Sequence, residues 1–229
     1  MTLTIHETLE QGSDEWHAAR CGLITASELD RIITPGTLKP ANNDKTRQHV
    51  YELAAQRINQ YVEPSYIGDN MLRGWADEIK AREKYSELRA PVREVGGMAR
   101  EFEGFKLWCS PDGLVEDDGG IECKSRIQKY QIQTITDNEV PKEHILQVQA
   151  NLLVSGRDWW DYISWSGGMP MWIIRVTPDE KVQQAIIDAC EAFEEKVQEV
   201  MRAYKERIDK AGDAVIMTER EIEQEVYLG

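Results

Sequence analysis

Cys109-Ser110-Pro111-Asp112-Gly113-Leu114-Val115-Glu116-Asp117-Asp118-Gly119-Gly120-Ile121-Glu122-Cys123-Lys124-Ser125 is the stretch on which the fold of this chain turns. Leu114–Glu116 and Ile121–Ser125 flank Asp117-Asp118-Gly119-Gly120, a composition that turns a hairpin. Side chains alternate along a strand, so Glu122 and Lys124 share one face and Cys123 takes the other. Whether Asp112 joins them depends on the loop. A two-residue turn at Asp118-Gly119 pairs Val115 with Glu122 and leaves Asp112 on the opposite face. A three-residue loop over Asp117–Gly119 pairs Asp112 with Lys124 and brings all three together. An odd loop or a bulge is therefore expected, with glycine supplying the positive φ that such loops use.

Two carboxylates on adjacent strands make an all-oxygen site suited to Mg²⁺, with Mn²⁺ as a substitute. A lysine beside them can hold or help deprotonate an attacking water, while the metal stabilises charge on a phosphate. The pattern [Asp/Glu]-x-Lys alone says little. It recurs at Glu78-Ile79-Lys80, Asp179-Glu180-Lys181 and Glu194-Glu195-Lys196 as well as at Glu122-Cys123-Lys124. Only the last is framed by apolar strand residues and preceded closely by Pro-Asp. For the bare motif, a charged surface hairpin is the commoner reading.

Its company changes the weight. Gly74-Trp75-Ala76-Asp77-Glu78 sets a glutamate at the border of the helix face Leu72, Trp75, Ile79. Glu78 can reach a site that this helix covers, or simply pair with Arg82 one turn on. Leu146-Gln147-Val148-Gln149 puts two glutamines in an apolar helix, as phosphate or metal-water contacts or as plain polar surface. Trp16-His17-Ala18-Ala19-Arg20 leads to Thr25-Ala26-Ser27. An arginine and hydroxyls at a helix start suit a phosphate, although a routine cap has the same composition.

The surrounding chain reads as α+β, or mixed α/β. Thr25-Ala26-Ser27-Glu28 looks like a capping box opening a short helix over Ser27–Ile33. Asn43-Asp44 caps a helix over Lys45–Gln60, and a third spans about Asn70–Leu88. Pro91–Val95, Ala99–Phe102 and Phe105–Cys109 read as a β-meander. A helix from Pro141 to Val154, strands at Trp159–Trp165 and Met171–Val176, and a long amphipathic helix from Asp179 complete the order. One domain over 1–229 accounts for this: a helical part at about 12–88, a sheet carrying the charged cluster at about 91–177 and C-terminal helices at about 179–229. Its 229 residues suffice to bury a full core.

No apolar run reaches bilayer length, and Met1 to Glu10 is too polar for a signal peptide. Cys21, Cys109, Cys123 and Cys190 stand singly, without zinc or disulfide spacing, which fits a reducing cytoplasm. The net charge of −14 sits awkwardly with a nucleic-acid partner. It is uneven, however: residues 179–229 hold 14 Asp/Glu against 7 Lys/Arg, and residues 16–61 hold 6 Lys/Arg against 4 Asp/Glu. An acidic exterior can surround a basic channel.

The ordered set Trp16–Ser27, Gly74–Glu78, Cys109–Leu114, Glu122–Lys124 and Gln147–Gln149 resembles the phage lambda-type alkaline exonucleases. These are the viral recombinase branch of the restriction-endonuclease-like nuclease superfamily. The resemblance implies a restriction-endonuclease-like core, a central mixed sheet flanked by helices. It implies a Mg²⁺-dependent exonuclease that digests duplex DNA 5′ to 3′, releases mononucleotides and leaves a 3′ overhang for recombination. Asp112 and Glu122 would be metal ligands with the Cys123 carbonyl, and Glu78 would complete the set. Lys124 would be the catalytic lysine and Gln147 the active-site glutamine. Arg20 would grip the 5′-phosphate of a double-stranded end, with Ser27 as a further DNA contact. A ring-shaped homotrimer, a phage single-strand annealing protein as partner and a bacterial host cytoplasm are also implied. The departure is Cys123, where an aliphatic residue is usual. Two other readings compete: a restriction-type endonuclease or repair nuclease on the same core, and a non-catalytic acidic DNA mimic or scaffold.

Overall fold

The computed structural model describes residues 2–64 and 68–220. β1 (Leu3–His6) leads to helix α1 (Asp14–Arg20), β2 (Ile24–Thr25) and a 3-10 turn at Ala26–Arg31. β3 (Ile33–Thr34) and β4 (Lys39–Pro40) precede α2 (Asp44–Asn59) and α3 (Asp69–Leu88). Five strands follow: β5 (Val92–Arg93), β6 (Gly97–Glu101), β7 (Lys106–Cys109), β8 (Gly113–Val115) and β9 (Gly119–Ser125). Then come α4 (Gln128–Asp137), α5 (Lys142–Ser155), β10 (Trp159–Trp165), β11 (Trp172–Val176) and α6 (Glu180–Ala211). Asn43 and Asp179 cap α2 and α6 by accepting backbone N–H groups, as their positions implied. Residues 221–229 of the expected acidic tail lie outside the described residues. Among those described, no helix is long and apolar enough to cross a membrane.

The architecture is mixed α/β, but the expected meander splits. β6 and β7 belong to a four-stranded sheet, ordered β1-β6-β7-β2, whereas β5 leaves them for the edge of a five-stranded one that holds the β8–β9 hairpin, ordered β11-β10-β9-β8-β5. The chain changes sheet at Ser110-Pro111-Asp112. β9 and β10 run parallel, joined by a crossover through α4 and α5. Helix α5 lies between the sheets, against β6, β7 and β10. Helix α3 covers the other face of the larger sheet, where Ala81 and Tyr85 pack on Ile121, Cys123 and Ile163. A buried bond from the Tyr85 hydroxyl to Asp161, 2.7 Å long, fastens α3 to β10. Arg175 grips the same carboxylate through two bonds.

The loop before β9 is odd, as the chemistry required, but lies one residue earlier than expected. Val115 pairs with Gly119, so Glu116–Asp118 form the loop and continued register sets Asp112 opposite Glu122, not Lys124. The left-handed residue is Glu116, with φ of 49°, not a glycine. The glycines serve packing instead. A Cβ on Gly119 would sit 2.0 Å from the Trp159 ring, and one on Gly120 2.5 Å from Trp160. Overpacking of this kind costs roughly 1–3 kcal/mol. The capping box is also corrected. Thr25 makes no backbone cap, because its hydroxyl donates to the Glu28 carboxylate at 2.9 Å.

Candidate active site

Glu122 lies mid-strand on β9, only 1% exposed, on the face toward α5. Its Oε1 meets the Lys124 ammonium at 2.6 Å and its Oε2 accepts from Asn151 Nδ2 at 2.9 Å. Asp112, also buried, stands immediately before β8, one residue past the end of the ladder, and accepts the Cys123 N–H at 2.5 Å. In a strand, the N–H and C=O of one residue face the same neighbour. The Cys123 carbonyl is therefore directed to the Asp112 edge as well. The Cys123 side chain packs under α3.

Glu78 approaches from α3. It pairs with Arg82 at 2.9 Å, the plainer of its two sequence readings, and the charges of Glu122 and Lys124 also act on it. Arg82 also donates to the Asp112 carbonyl at 3.3 Å, tying helix to sheet. Burial, then the Glu122 and Glu78 charges, push the Asp112 carboxyl well above its ordinary range. Burial and Glu122 raise Glu78 too, against the pull of Arg82. Burial alone would lower Lys124, but Glu122 and Asp112 outweigh it and hold the ammonium above its ordinary value. Two carboxylates, Asp112 and Glu78, raised by burial and by the charge of Glu122, form with it an oxygen-only set that fits a hard divalent cation, whose charge would relieve their repulsion.

Among the described residues, the trio whose ligand atoms all lie within 4.8 Å of one another is a different one, Glu28, His49 and Glu52. Arg31 already bridges its two carboxylates, at 3.3 and 3.0 Å. It is an ion-pair network.

Beside the carboxylates lies a cavity of about 110 Å³ lined by Trp16, Arg20, Ser27, Trp108, Ser110 and Gln147. The Arg20 guanidinium stacks 4.3 Å over the Trp16 ring, with Glu28 at 4.0 Å. Trp16 and Trp108 both donate ring N–H groups to Ser110 Oγ, at 3.2 and 2.8 Å. The cavity and the carboxylates share two chain segments: Ser110 stands two residues before Asp112, and Gln147 one helical turn before Asn151. Arg20, Ser27 and Gln147 thus meet at the cavity, while Asp112, Glu122, Lys124 and Glu78 meet at the carboxylate cluster. Gln149 is elsewhere, buried and bonded to Thr177 and Asp179 at the start of α6.

Sequence reasoning missed Asn151, Ser110, Trp16 and His144 as parts of this region. His144 stacks on Tyr162 and bonds its hydroxyl at 2.8 Å, and burial, then Lys124 and Arg126, depress it to about 3. The helical spacing of His144, Gln147 and Asn151 was the available signal.

A family model described as the YqaJ-like viral recombinase domain matches residues 15–158. Among solved structures, an alkaline exonuclease from Laribacter hongkongensis is 28% identical, with a TM-score of 0.77 over 87% of this chain and 100% of that one. Its complex with dAMP gives 27% identity and a TM-score of 0.73 over the same shares. A phage-related exonuclease from Haemophilus somnus 129PT shares the fold at 13% identity, with a TM-score of 0.58 over 80% of this chain and 96% of that one. Among curated proteins there is no match.

Proposed function

We propose, on the premise that this chain belongs to the YqaJ-like viral recombinase domain family, that it is a Mg²⁺-dependent exonuclease. It would act on double-stranded DNA ends from 5′ to 3′, releasing mononucleotides and leaving a 3′ overhang for phage recombination. The observation that carries the reading is Asp112 and Glu122, buried side by side, with Lys124 on Glu122 and an arginine-bearing cavity next door. The relatives named as exonucleases support it, one of them holding a mononucleotide. The resemblance adds a homotrimeric ring and a phage single-strand annealing partner in the bacterial cytoplasm.

Asp112, Glu122 and the Cys123 carbonyl would hold the cation, with Glu78 closing the set from α3. When bound, Mg²⁺ or Mn²⁺ supplies charge stabilisation at the scissile phosphate and an acidified water. Lys124, held as an ammonium by Glu122, donates a hydrogen bond to the attacking water or to a phosphate oxygen. In the cavity, the Arg20 fork is backed by the Trp16 ring and suits a terminal phosphate, with Ser27 and Gln147 as added donors. A terminal phosphate bears more charge than an internal diester, so this contact distinguishes an end from the middle of a strand.

The test is a digestion of linear 5′-phosphorylated duplex, linear 5′-hydroxyl duplex and closed-circular plasmid. The phosphorylated end should be consumed faster than the hydroxyl end, and the plasmid should stay intact. Arg20→Ala should remove most of the 5′ preference, and Arg20→Lys should restore only part of it, because an ammonium cannot make two parallel hydrogen bonds. Linearisation of the plasmid would favour the endonuclease reading. Retention of the full preference by Arg20→Ala would exclude Arg20 as the grip.

A further inference from the structure

Asn151 is completely buried in α5, a helix whose other buried residues are Leu146, Val148, Ala150, Leu152 and Val154 besides Gln149 and Ser155. Its Nδ2 donates to Glu122 Oε2 at 2.9 Å, and its Oδ1 meets no donor among the described residues. A buried amide with one end unsatisfied is costly, and packing between two sheets would be served better by leucine. What the amide does is hold Glu122. Two groups touch that carboxylate. Lys124 is partly exposed, with 26% of its side chain accessible, on a flexible stem that must also serve the substrate. Asn151 is the rigid one of the pair, clamped by α5 between the sheets. The helix carries this role along one face, since His144, Gln147 and Asn151 follow at spacings of three and four.

The choice of an amide is itself informative. A second cation at this position would neutralise Glu122 and compete with a divalent ion for it. A neutral donor fixes the plane of the carboxylate and leaves its charge and its remaining lone pairs available. We infer that Asn151 is the positioning residue for Glu122, setting the carboxylate plane for the divalent cation and so tuning cation affinity. This rests on the metal-site reading above and extends it to a residue that touches neither DNA nor the reacting atoms. Hydrogen-bond partners of metal-ligating carboxylates typically contribute 10- to 100-fold to affinity or activity.

The experiment is titration calorimetry with Mn²⁺ alone on the wild-type protein and on Asn151→Leu, which keeps the branched side-chain skeleton and removes the donor. Mn²⁺ affinity should weaken by about tenfold or more. In DNA digestion, kcat should fall while KM for DNA stays near wild type. Thermal denaturation in EDTA monitors the fold, and Asn151→Ser is read in the same way should the leucine variant not fold. Wild-type Mn²⁺ affinity and kcat in a folded variant would overturn the inference and leave the nuclease reading intact. A wild-type protein that binds no Mn²⁺ would overturn the metal-site reading, and this one with it.

Discussion

Asp112→Asn should extinguish nuclease activity and, in the same protein, raise thermal stability in EDTA. Both effects have one origin. Burial and the nearby charges of Glu122 and Glu78 hold the Asp112 carboxyl well above its ordinary range. The folded state therefore binds that proton more tightly than the unfolded chain does. Above the raised pKa the ionised group opposes folding, and that opposition is relieved as pH falls through it. Asparagine removes the charge and keeps an oxygen to accept the Cys123 N–H. For a domain of this size, each 1 kcal/mol recovered raises Tm by roughly 2–4 °C. The stability gap between variant and wild type should close in acid, where both side chains are neutral. A variant less stable than wild type at neutral pH would mean that the cluster is already balanced without a cation.

Lys124→Ala should lower the rate by roughly 10²–10⁴-fold, the usual range for a side chain that handles a proton or water at the reacting centre. Calorimetric Mn²⁺ binding should persist, because Lys124 pairs with Glu122 and is not an oxygen donor. Lys80→Ala and Lys196→Ala remove the lysines of two other [Asp/Glu]-x-Lys triplets, both exposed on helices α3 and α6. They should be almost silent in the same digestion. Comparable losses at all three positions would show that the wrong triplet had been assigned.

The parts of this architecture that were legible are those in which local rules and tertiary packing agree. Helices α2, α5 and α6 carry their caps or apolar periods in the chain, and the Glu122/Lys124 alternation follows from strand geometry alone; α3 was placed, but the face read as its packing side, Leu72, Trp75 and Ile79, is exposed, and the helix packs through Ala81 and Tyr85 instead. Helix α4 was not legible, because its pattern is inverted. It buries Gln131 and Thr134 and exposes Tyr130 and Ile132, and no side chain caps its start. The buried glutamine is satisfied by the Ser164 and Pro170 carbonyls, partners that exist only in three dimensions. The division into two sheets was hidden for a related reason. Strand propensity does not state which sheet a strand joins, and the switch at Ser110-Pro111-Asp112 looks like any turn. The shifted loop came from reading Gly119-Gly120 as turn residues, when the Trp159 and Trp160 rings explain them.

In the site, the charged residues could be nominated from sequence because carboxylates and lysine announce their chemistry. Asn151 could not, since an asparagine at a helical position usually faces water, and only its burial against Glu122 gives it a role. Glu78 was ambiguous between an Arg82 pair and a place at the cluster; the structure forms the Arg82 pair and leaves Glu78 where the charges of Glu122 and Lys124 act on it. The cavity around Arg20 needed three distant segments to come together, which no local pattern encodes.

The most direct measurement is mononucleotide release from a linear 5′-phosphorylated duplex by protein first stripped with EDTA. No release is expected from the stripped protein, with activity returning on addition of Mg²⁺ or Mn²⁺. Release at the full rate in EDTA would contradict the metal-dependent mechanism built on Asp112, Glu122 and Lys124.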